Sequence, residues 1–180
     1  MWELRTPLRV KLIIGILAAD EDFLKAATQL ITEKLGPLDL SSEVWPFTQT
    51  DYYKDQTGDH ILRQFVTIER TISPESLAKI KLKTNEMEQA LAAQLKSDVP
   101  RPVNLDPGII EPSKLVLATT KNFSHRIYIG KKIYAEVTLI YDKGQWRPFD
   151  YTYPDYRQQH YHDFFGRVRI RLLEQLKSKH

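Results

Sequence analysis

The residues from Thr119 to Arg126 carry the side chains that an anion-binding site requires. They include two threonines, a lysine, an asparagine, a histidine and an arginine within eight positions. Arginine donates paired hydrogen bonds to phosphate or carboxylate, lysine adds a compact positive charge, and hydroxyl groups add further donors. We predict Thr120, Lys121 and Arg126 as ligand-binding residues and His125 as a general acid or base. A solvated loop, with His125 bonded to a backbone carbonyl, explains the same residues equally well.

Asn104 and Asp106 form a second polar pair, two positions apart. On an extended segment they would project from the same side and could bind a substrate hydroxyl, a ribose or a metal ion. However, Asp106 begins an Asp-Pro-Gly sequence, in which proline fixes one central φ and glycine accepts the positive φ of a type II turn. The sequence therefore favours a structural turn, with Asn104 as a candidate ligand-binding residue and Asp106 as a candidate catalytic carboxylate.

Glu136 lies in the middle of a predicted strand, on the face opposite an apolar stripe. If that face is covered, Glu136 is a buried carboxylate and needs a partner, for which Arg126 and Lys121 are the candidates. If the face is open, Glu136 is a surface residue. We predict it as a catalytic candidate that orients the other groups or binds a metal.

Four tyrosines lie between positions 151 and 161. Tyrosine suits a partly solvated binding surface, because its ring is apolar and its hydroxyl is polar. We predict Tyr153 as a ligand-binding residue, and Asp51-Tyr52-Tyr53 forms a similar cluster earlier in the chain. His160 and His162 are too close in sequence to share one helix face, so no metal site is predicted.

These residues support two hypotheses from different classes. The first is a hydrolase or transferase that acts on a small phosphorylated ligand or nucleotide. Its predicted catalytic residues are His125, Asp106 and Glu136, and its predicted ligand-binding residues are Lys121, Arg126, Asn104, Thr120 and Tyr153. The second is a non-enzymatic module that binds a protein or an RNA through the tyrosine-rich stretch. The sequence indicates no particular cofactor.

Composition and missing motifs exclude several classes of protein. The 180 residues are 42% hydrophobic and 27% charged, which is typical of one globular domain spanning residues 1–180. The absence of cysteine excludes disulfides and thiolate chemistry. The chain also lacks a P-loop, a dinucleotide-binding glycine motif and a G-x-S-x-G nucleophile motif. A net charge of +3, without a concentrated basic stripe, argues against nucleic acid as the main partner.

The apolar run from Leu12 to Ala19 is too short to span a bilayer, and Asp20 follows it at once. It predicts a buried strand in a cytoplasmic protein rather than a signal peptide or a membrane anchor.

Hydrophobic periodicity and turn residues predict the order of elements. Strands are predicted at 8–19, 44–50, 63–72, 114–120, 126–129, 133–141 and 145–149, and helices at 21–35, 74–96 and 158–177. The proline-rich residues 97–112 are predicted to be a connection. This order favours an α+β fold with a ferredoxin-like βαββαβ core, extended by a C-terminal β-meander and a terminal helix. We expect the meander to extend the same sheet and the helices to cover one face of it.

Six segments resemble, as a set, those of one known family. They are Thr50–Tyr53, Val103–Gly108, Leu117–Asn122, His125–Tyr128, Tyr134–Leu139 and Tyr151–Tyr156. The family occurs in bacteria and archaea, is designated domain of unknown function 4416 (DUF4416), and has members of roughly this length. The resemblance covers nearly the whole chain and implies no particular reaction.

Overall fold

A computed structural model describes residues 2–48, 61–97 and 99–178. Within these ranges nine strands form one antiparallel sheet, against which three α-helices pack. The strands are β1 (Lys11–Ala18), β2 (Leu38–Ser41), β3 (Trp45–Phe47), β4 (Ile61–Ile68), β5 (Val103–Ile110), β6 (Lys114–Thr119), β7 (Ile127–Gly130), β8 (Ile133–Asp142) and β9 (Gln145–Pro148). The helices are α1 (Glu21–Leu35), α2 (Leu77–Gln94) and α3 (Gln159–Lys177), and 3₁₀ turns at Pro74–Ser76 and Pro154–Arg157 precede α2 and α3. The predicted α+β class is confirmed.

The sheet order is β2-β4-β1-β5-β6-β8-β7, with β3 also paired to β4 and β9 to β8. The predicted order of elements is not matched. The chain adds β2 directly after α1, and it forms β5 where a proline-rich connection was predicted. The predicted cluster Asp51-Tyr52-Tyr53 lies outside the described residues.

Strand β1 lies inside the sheet and is buried along its whole length. Its alternate side chains point to opposite faces, as the pleat requires. Ile14 and Ile16 pack with α1 and α2 on one face, whereas Ile13 packs with the aromatic side chains of α3 on the other. The expectation that the helices cover only one face was therefore wrong, because α3 needs a second apolar surface for its own aromatic stripe.

Helix α1 begins and ends where the sequence predicts. The side chain of Asp20 caps it by accepting a hydrogen bond from the backbone N–H of Phe23 at 2.8 Å. Before α2, the side chain of Ser73 makes no capping bond, and the 3₁₀ turn intervenes between Ser73 and the helix. None of the helices that the structure describes is long and apolar enough to cross a membrane.

The predicted turn at Asp106-Pro107-Gly108 was wrong, because these residues form the middle of β5. Strand β5 pairs with β1 along its full length, from Val103 opposite Ala18 to Ile110 opposite Lys11. This long-range pairing overrides the local turn preference. Proline is tolerated because β5 pairs with β6 only from Gly108 onward, so Pro107 lies on an open edge.

Strand β5 parts from β6 at this point, and α2 replaces the missing neighbour. The backbone N–H of Leu105 donates to the Glu88 carboxylate at 2.7 Å, and its carbonyl accepts from Lys81 Nζ at 2.9 Å. Along an antiparallel strand, the backbone N–H and C=O groups of successive residues point to opposite neighbours. The backbone nitrogen of Pro107 therefore faces the same side as that of Leu105. A cleft therefore opens between the N-terminal half of β5 and the C-terminal end of β6.

We predict that Gly108→Ala destabilises the protein, because a Cβ atom there would lie 2.6 Å from the backbone oxygen of Val116. The strand pair at the apex of the cleft would have to separate, and we expect the free energy of unfolding to fall by about 1–3 kcal/mol. Gly166→Ala is the matched control, because its Cβ would meet nothing within 4 Å inside α3. It should stabilise the helix by about 0.5–1 kcal/mol. Urea unfolding measures both, and equal stability of the two variants would contradict the close approach at Gly108.

Candidate functional site

The cleft between β5 and β6 contains a pocket of about 590 Å³. We call it the β5–β6 pocket. It is lined by Phe47, Arg63, Lys81, Arg101, Asn104, Asp106, Leu117, Ala118, Thr119, Thr120, Lys121, Arg126, Glu136, Tyr153, Asp155 and Tyr156. Five cations and three carboxylates stand among these residues. Its volume lies within the range of pockets that hold small-molecule ligands.

Seven of the eight residues predicted as a site line this pocket. They are Asn104, Asp106, Thr120, Lys121, Arg126, Glu136 and Tyr153. They come from β5, the β6 end, the following loop, β8 and the segment before α3, so only the tertiary structure brings them together. His125 is the exception and does not line the pocket.

Glu136 is buried in the middle of β8, and its carboxylate organises the outer wall of the pocket. One oxygen accepts hydrogen bonds from Arg126 Nε and His125 Nε2, each at 2.9 Å. The other oxygen accepts from the Thr138 hydroxyl at 3.3 Å. Of the two environments that the sequence leaves open, the structure shows the buried one, with Arg126 as the partner.

His125 faces Glu136 and lies in a column of aromatic rings rather than in the pocket. Its ring stacks on Tyr151 with centroids 4.0 Å apart, and Tyr151 stacks on Phe149 at 5.0 Å. Burial raises the pKa of the Tyr151 hydroxyl, which donates to the carbonyl of Val137 at 2.8 Å. This placement supports a role for His125 in holding Glu136.

Arg126 is held at three points. Besides the bond to Glu136, its Nη1 donates to the Lys121 carbonyl at 3.1 Å and its Nη2 to the Tyr153 hydroxyl at 3.0 Å. Burial would lower the pKa of Arg126, but Glu136 and Tyr153 hold it above the ordinary value. The guanidinium is therefore fixed in position and permanently charged.

Four buried or half-buried charges form the inner end of the pocket. Arg63 Nη2 lies 3.1 Å from the Asp155 carboxylate, and Arg63 Nη1 lies 3.9 Å from Asp106. Lys81 Nζ lies 3.7 Å from the other Asp106 oxygen, and Asn104 donates to Asp106 at 2.6 Å. Burial raises the pKa of Asp155, and the neighbouring Arg63 offsets part of this effect.

Arg63 is 3% exposed, yet its Nε and Nη1 make no hydrogen bond within the described part of the chain. Gly15 provides the room for this side chain, since a Cβ atom there would lie 2.8 Å from Arg63 Nη1. The guanidinium carbon lies 5.1 Å from the Phe47 ring centroid and 5.9 Å from that of Tyr156. The Tyr156 hydroxyl is a further buried group without a hydrogen-bond partner in the same described residues.

The sequence did not identify Arg63, Lys81 or Arg101 as site residues, and it placed Asp155 and Tyr156 only within the tyrosine-rich stretch. For α2 a signal existed, because Leu77, Lys81, Thr84, Glu88 and Leu91 recur at helical spacing and all are buried. Two charged residues within a buried stripe indicate that this face of α2 makes polar contacts. Burial raises the pKa of Glu88, and this carboxylate also accepts bonds from Arg101 at 3.0 and 2.6 Å.

The tyrosine-rich stretch is not one continuous surface. Tyr153 is 46% exposed, whereas Tyr156 and Tyr161 belong to the core beneath α3. His162 bonds to the Tyr156 carbonyl at 2.8 Å, and His160 packs edge-on against Trp45. Among the described residues, no group of three or more histidine or acidic side chains could hold a metal ion.

The fold and the pocket define an α+β protein with a pocket lined by charged residues at a break in its antiparallel sheet. The chain belongs to the family described as Domain of unknown function (DUF4416), which matches residues 8–171. This match confirms the resemblance seen in the sequence. No curated protein and no solved structure matches the chain.

We predict that Glu136→Gln lowers the free energy of unfolding by about 1.5–3 kcal/mol, because it removes hydrogen bonds to a buried charged group. Glu174→Gln is the matched control. Glu174 is 61% exposed and pairs only loosely with Arg171, at 3.7 Å, so we expect little change in stability. Urea unfolding compares the two variants. If they are equally stable, Glu136 does not organise this wall of the pocket.

Proposed function

We propose that this protein binds a small phosphorylated ligand in the β5–β6 pocket. The observation that carries the proposal is Arg126, a guanidinium fixed by Glu136 at the wall of a pocket in which cations outnumber carboxylates. Phosphate is bound well by arginine that needs no reorganisation on binding.

The hydrogen-bond capacity of Arg126 supports this role. A guanidinium has five N–H groups, and three of them are used by Glu136, Lys121 and Tyr153. Two N–H groups therefore have no partner among the described residues and can bond to a ligand. Thr119, Thr120 and Lys121 lie on the same wall, where the end of β6 supplies hydroxyl groups and a further positive charge.

The hydrolase or transferase hypothesis stays a prediction. Two of the predicted catalytic residues, His125 and Glu136, bond to each other, and His125 does not reach the pocket lining. Asp106 does line the pocket, and its side chain is 28% exposed, against 5% for Asp155 and 3% for Glu136. We therefore propose ligand binding as the function and assign no reaction step.

Isothermal titration calorimetry with ribose 5-phosphate tests the proposal, with uncharged ribose as the comparison. We expect ribose 5-phosphate to bind at least about tenfold more tightly than ribose, as loss of a charge-assisted contact would give. Arg126→Gln should weaken ribose 5-phosphate binding by a similar factor. Arg167→Gln removes the same charge from the exposed face of α3 and should leave binding unchanged.

Two results would contradict the proposal. One is equal affinity for ribose and ribose 5-phosphate, and the other is equal loss of affinity in the Arg126 and Arg167 variants. Circular dichroism of each variant confirms that it is folded before titration.

A second candidate function, protein binding at the sheet edge, is favoured by strand β7. Ile127 is 69% exposed and Tyr128 is 58% exposed, and the nearby Phe123 is 64% exposed. Among the described strands β7 pairs only with β8, so its outer edge is open to strand addition. These apolar side chains favour a protein over an RNA as the partner of an interaction module.

The test of this candidate is affinity purification from native lysate with two matched variants. Ile127→Glu places a charge on β7, and Ile170→Glu places one on α3, where the side chain is 58% exposed. We expect a stoichiometric partner to be retained by Ile170→Glu and lost from Ile127→Glu. Equal retention by both variants would exclude β7 as the docking edge.

We further propose a ferredoxin-like platform beneath the pocket. The strand order β2-β4-β1-β5, with α1 and α2 on one face, supports this arrangement. In that reading β3 and the strands β6 to β9 are additions, and the pocket lies where the platform meets them.

A further inference from the structure

The inner end of the β5–β6 pocket is balanced in charge. Arg63 and Lys81 supply two positive charges, and Asp106 and Asp155 supply two negative ones, each within 3.9 Å of an opposite partner. An additional anion placed there would have no uncompensated positive charge to meet. Burying an unpaired charge is costly, so the deepest part of a ligand should be polar but uncharged.

The same inner end has hydrogen-bond capacity that the protein leaves unused. Arg63 Nε, Arg63 Nη1 and the Tyr156 hydroxyl are buried and make no hydrogen bond with the described residues, although Nη1 lies 3.9 Å from the Asp106 carboxylate. Hydrogen-bond acceptors on a ligand would use this donor capacity. Asp106, whose side chain is 28% exposed, offers carboxylate oxygens that can accept further hydrogen bonds from a ligand. A ligand group that bonds both to these donors and to the Asp106 carboxylate must carry hydrogen-bond acceptors and donors next to each other.

Aromatic rings enclose these polar groups. Phe47 and Tyr156 line the pocket, and Arg63 lies within 5.1 Å of the first ring centroid and 5.9 Å of the second. Planar groups pack well against such rings and against the flat guanidinium. A flat heterocycle with amide-like donors and acceptors along its edge meets all three conditions, whereas a sugar is uncharged and forms hydrogen bonds but is not planar.

We infer that the ligand is a nucleoside monophosphate, with its base at the inner end beside Arg63, Asp106 and Tyr156 and its phosphate at the outer wall beside Arg126. The inference rests on the proposed function, because it takes Arg126 as the phosphate-binding group. It adds the class of ligand and its direction in the pocket. The cavity of about 590 Å³ has the size of pockets that hold ligands of this kind.

Calorimetric titration of the full chain with AMP, GMP, CMP, UMP and ribose 5-phosphate tests the inference. At least one nucleotide should bind about tenfold or more tightly than ribose 5-phosphate, because only the nucleotides carry a base. Asp106→Asn replaces an acceptor oxygen with a donor NH₂ group, so it should reduce the preference for the nucleotide over ribose 5-phosphate about tenfold. It should change the affinity for ribose 5-phosphate by no more than about twofold. Asp142→Asn, an exposed pair partner of Arg147 on β8, is the matched control and should change neither affinity.

A second variant keeps the test decisive if Asp106→Asn fails to fold. Phe47→Leu removes one aromatic wall without changing charge, and it should also lower nucleotide affinity selectively. The inference is overturned if ribose 5-phosphate binds as tightly as every nucleotide, or if either variant weakens both classes of ligand equally. In those cases the phosphate-binding proposal stands. If no phosphorylated compound binds, the proposed function itself fails.

Discussion

The structure depends on how the backbone N–H and C=O groups of one residue, Leu105, are satisfied in the middle of β5. Its N–H and C=O groups have no strand partner on the β6 side, and an unpaired buried peptide group is costly. Glu88 and Lys81 of α2 supply the missing hydrogen bonds. Because helix side chains replace a strand, the sheet can open without losing stability at the break. The pocket, its charged lining and the separation of β5 from β6 all follow from this substitution.

A consequence is that the pocket contains buried charged side chains. Arg63 is buried among aromatic rings, and Asp155 is its closest ionic partner. Such pairs add little net stability, because desolvation offsets the attraction between the charges. The chain nevertheless arranges its backbone around the group, since Gly15 in the central strand leaves the space that the guanidinium occupies. The unused donors of this buried group support the proposal of ligand binding.

The two ends of the pocket differ in the way they are built. At the outer wall Glu136 and the backbone fix a single guanidinium, and hydroxyl groups stand beside it. At the inner end charges cancel in pairs, and what is left is a set of hydrogen-bonding positions between aromatic rings. A ligand with one charged end and one flat polar end matches this division. The aromatic column of His125, Tyr151 and Phe149 stands behind the outer wall and keeps Glu136 in place.

Sequence alone determined the elements whose signals are local. The cap at Asp20 and the period of apolar residues fixed the bounds of α1, and the types of residue near Lys121 and Arg126 identified most of one pocket wall. It could not determine β5, since a turn signal at Asp106-Pro107-Gly108 is a local preference and pairing with β1 joins residues about ninety positions apart. The sequence also could not predict that Arg63 and Asp155 lie in one cluster. Nor could it predict that His125 faces Glu136 and not the cavity. The tertiary structure decided these placements, because only the register of the sheet and the packing of α2 and α3 bring the distant groups within hydrogen-bonding distance.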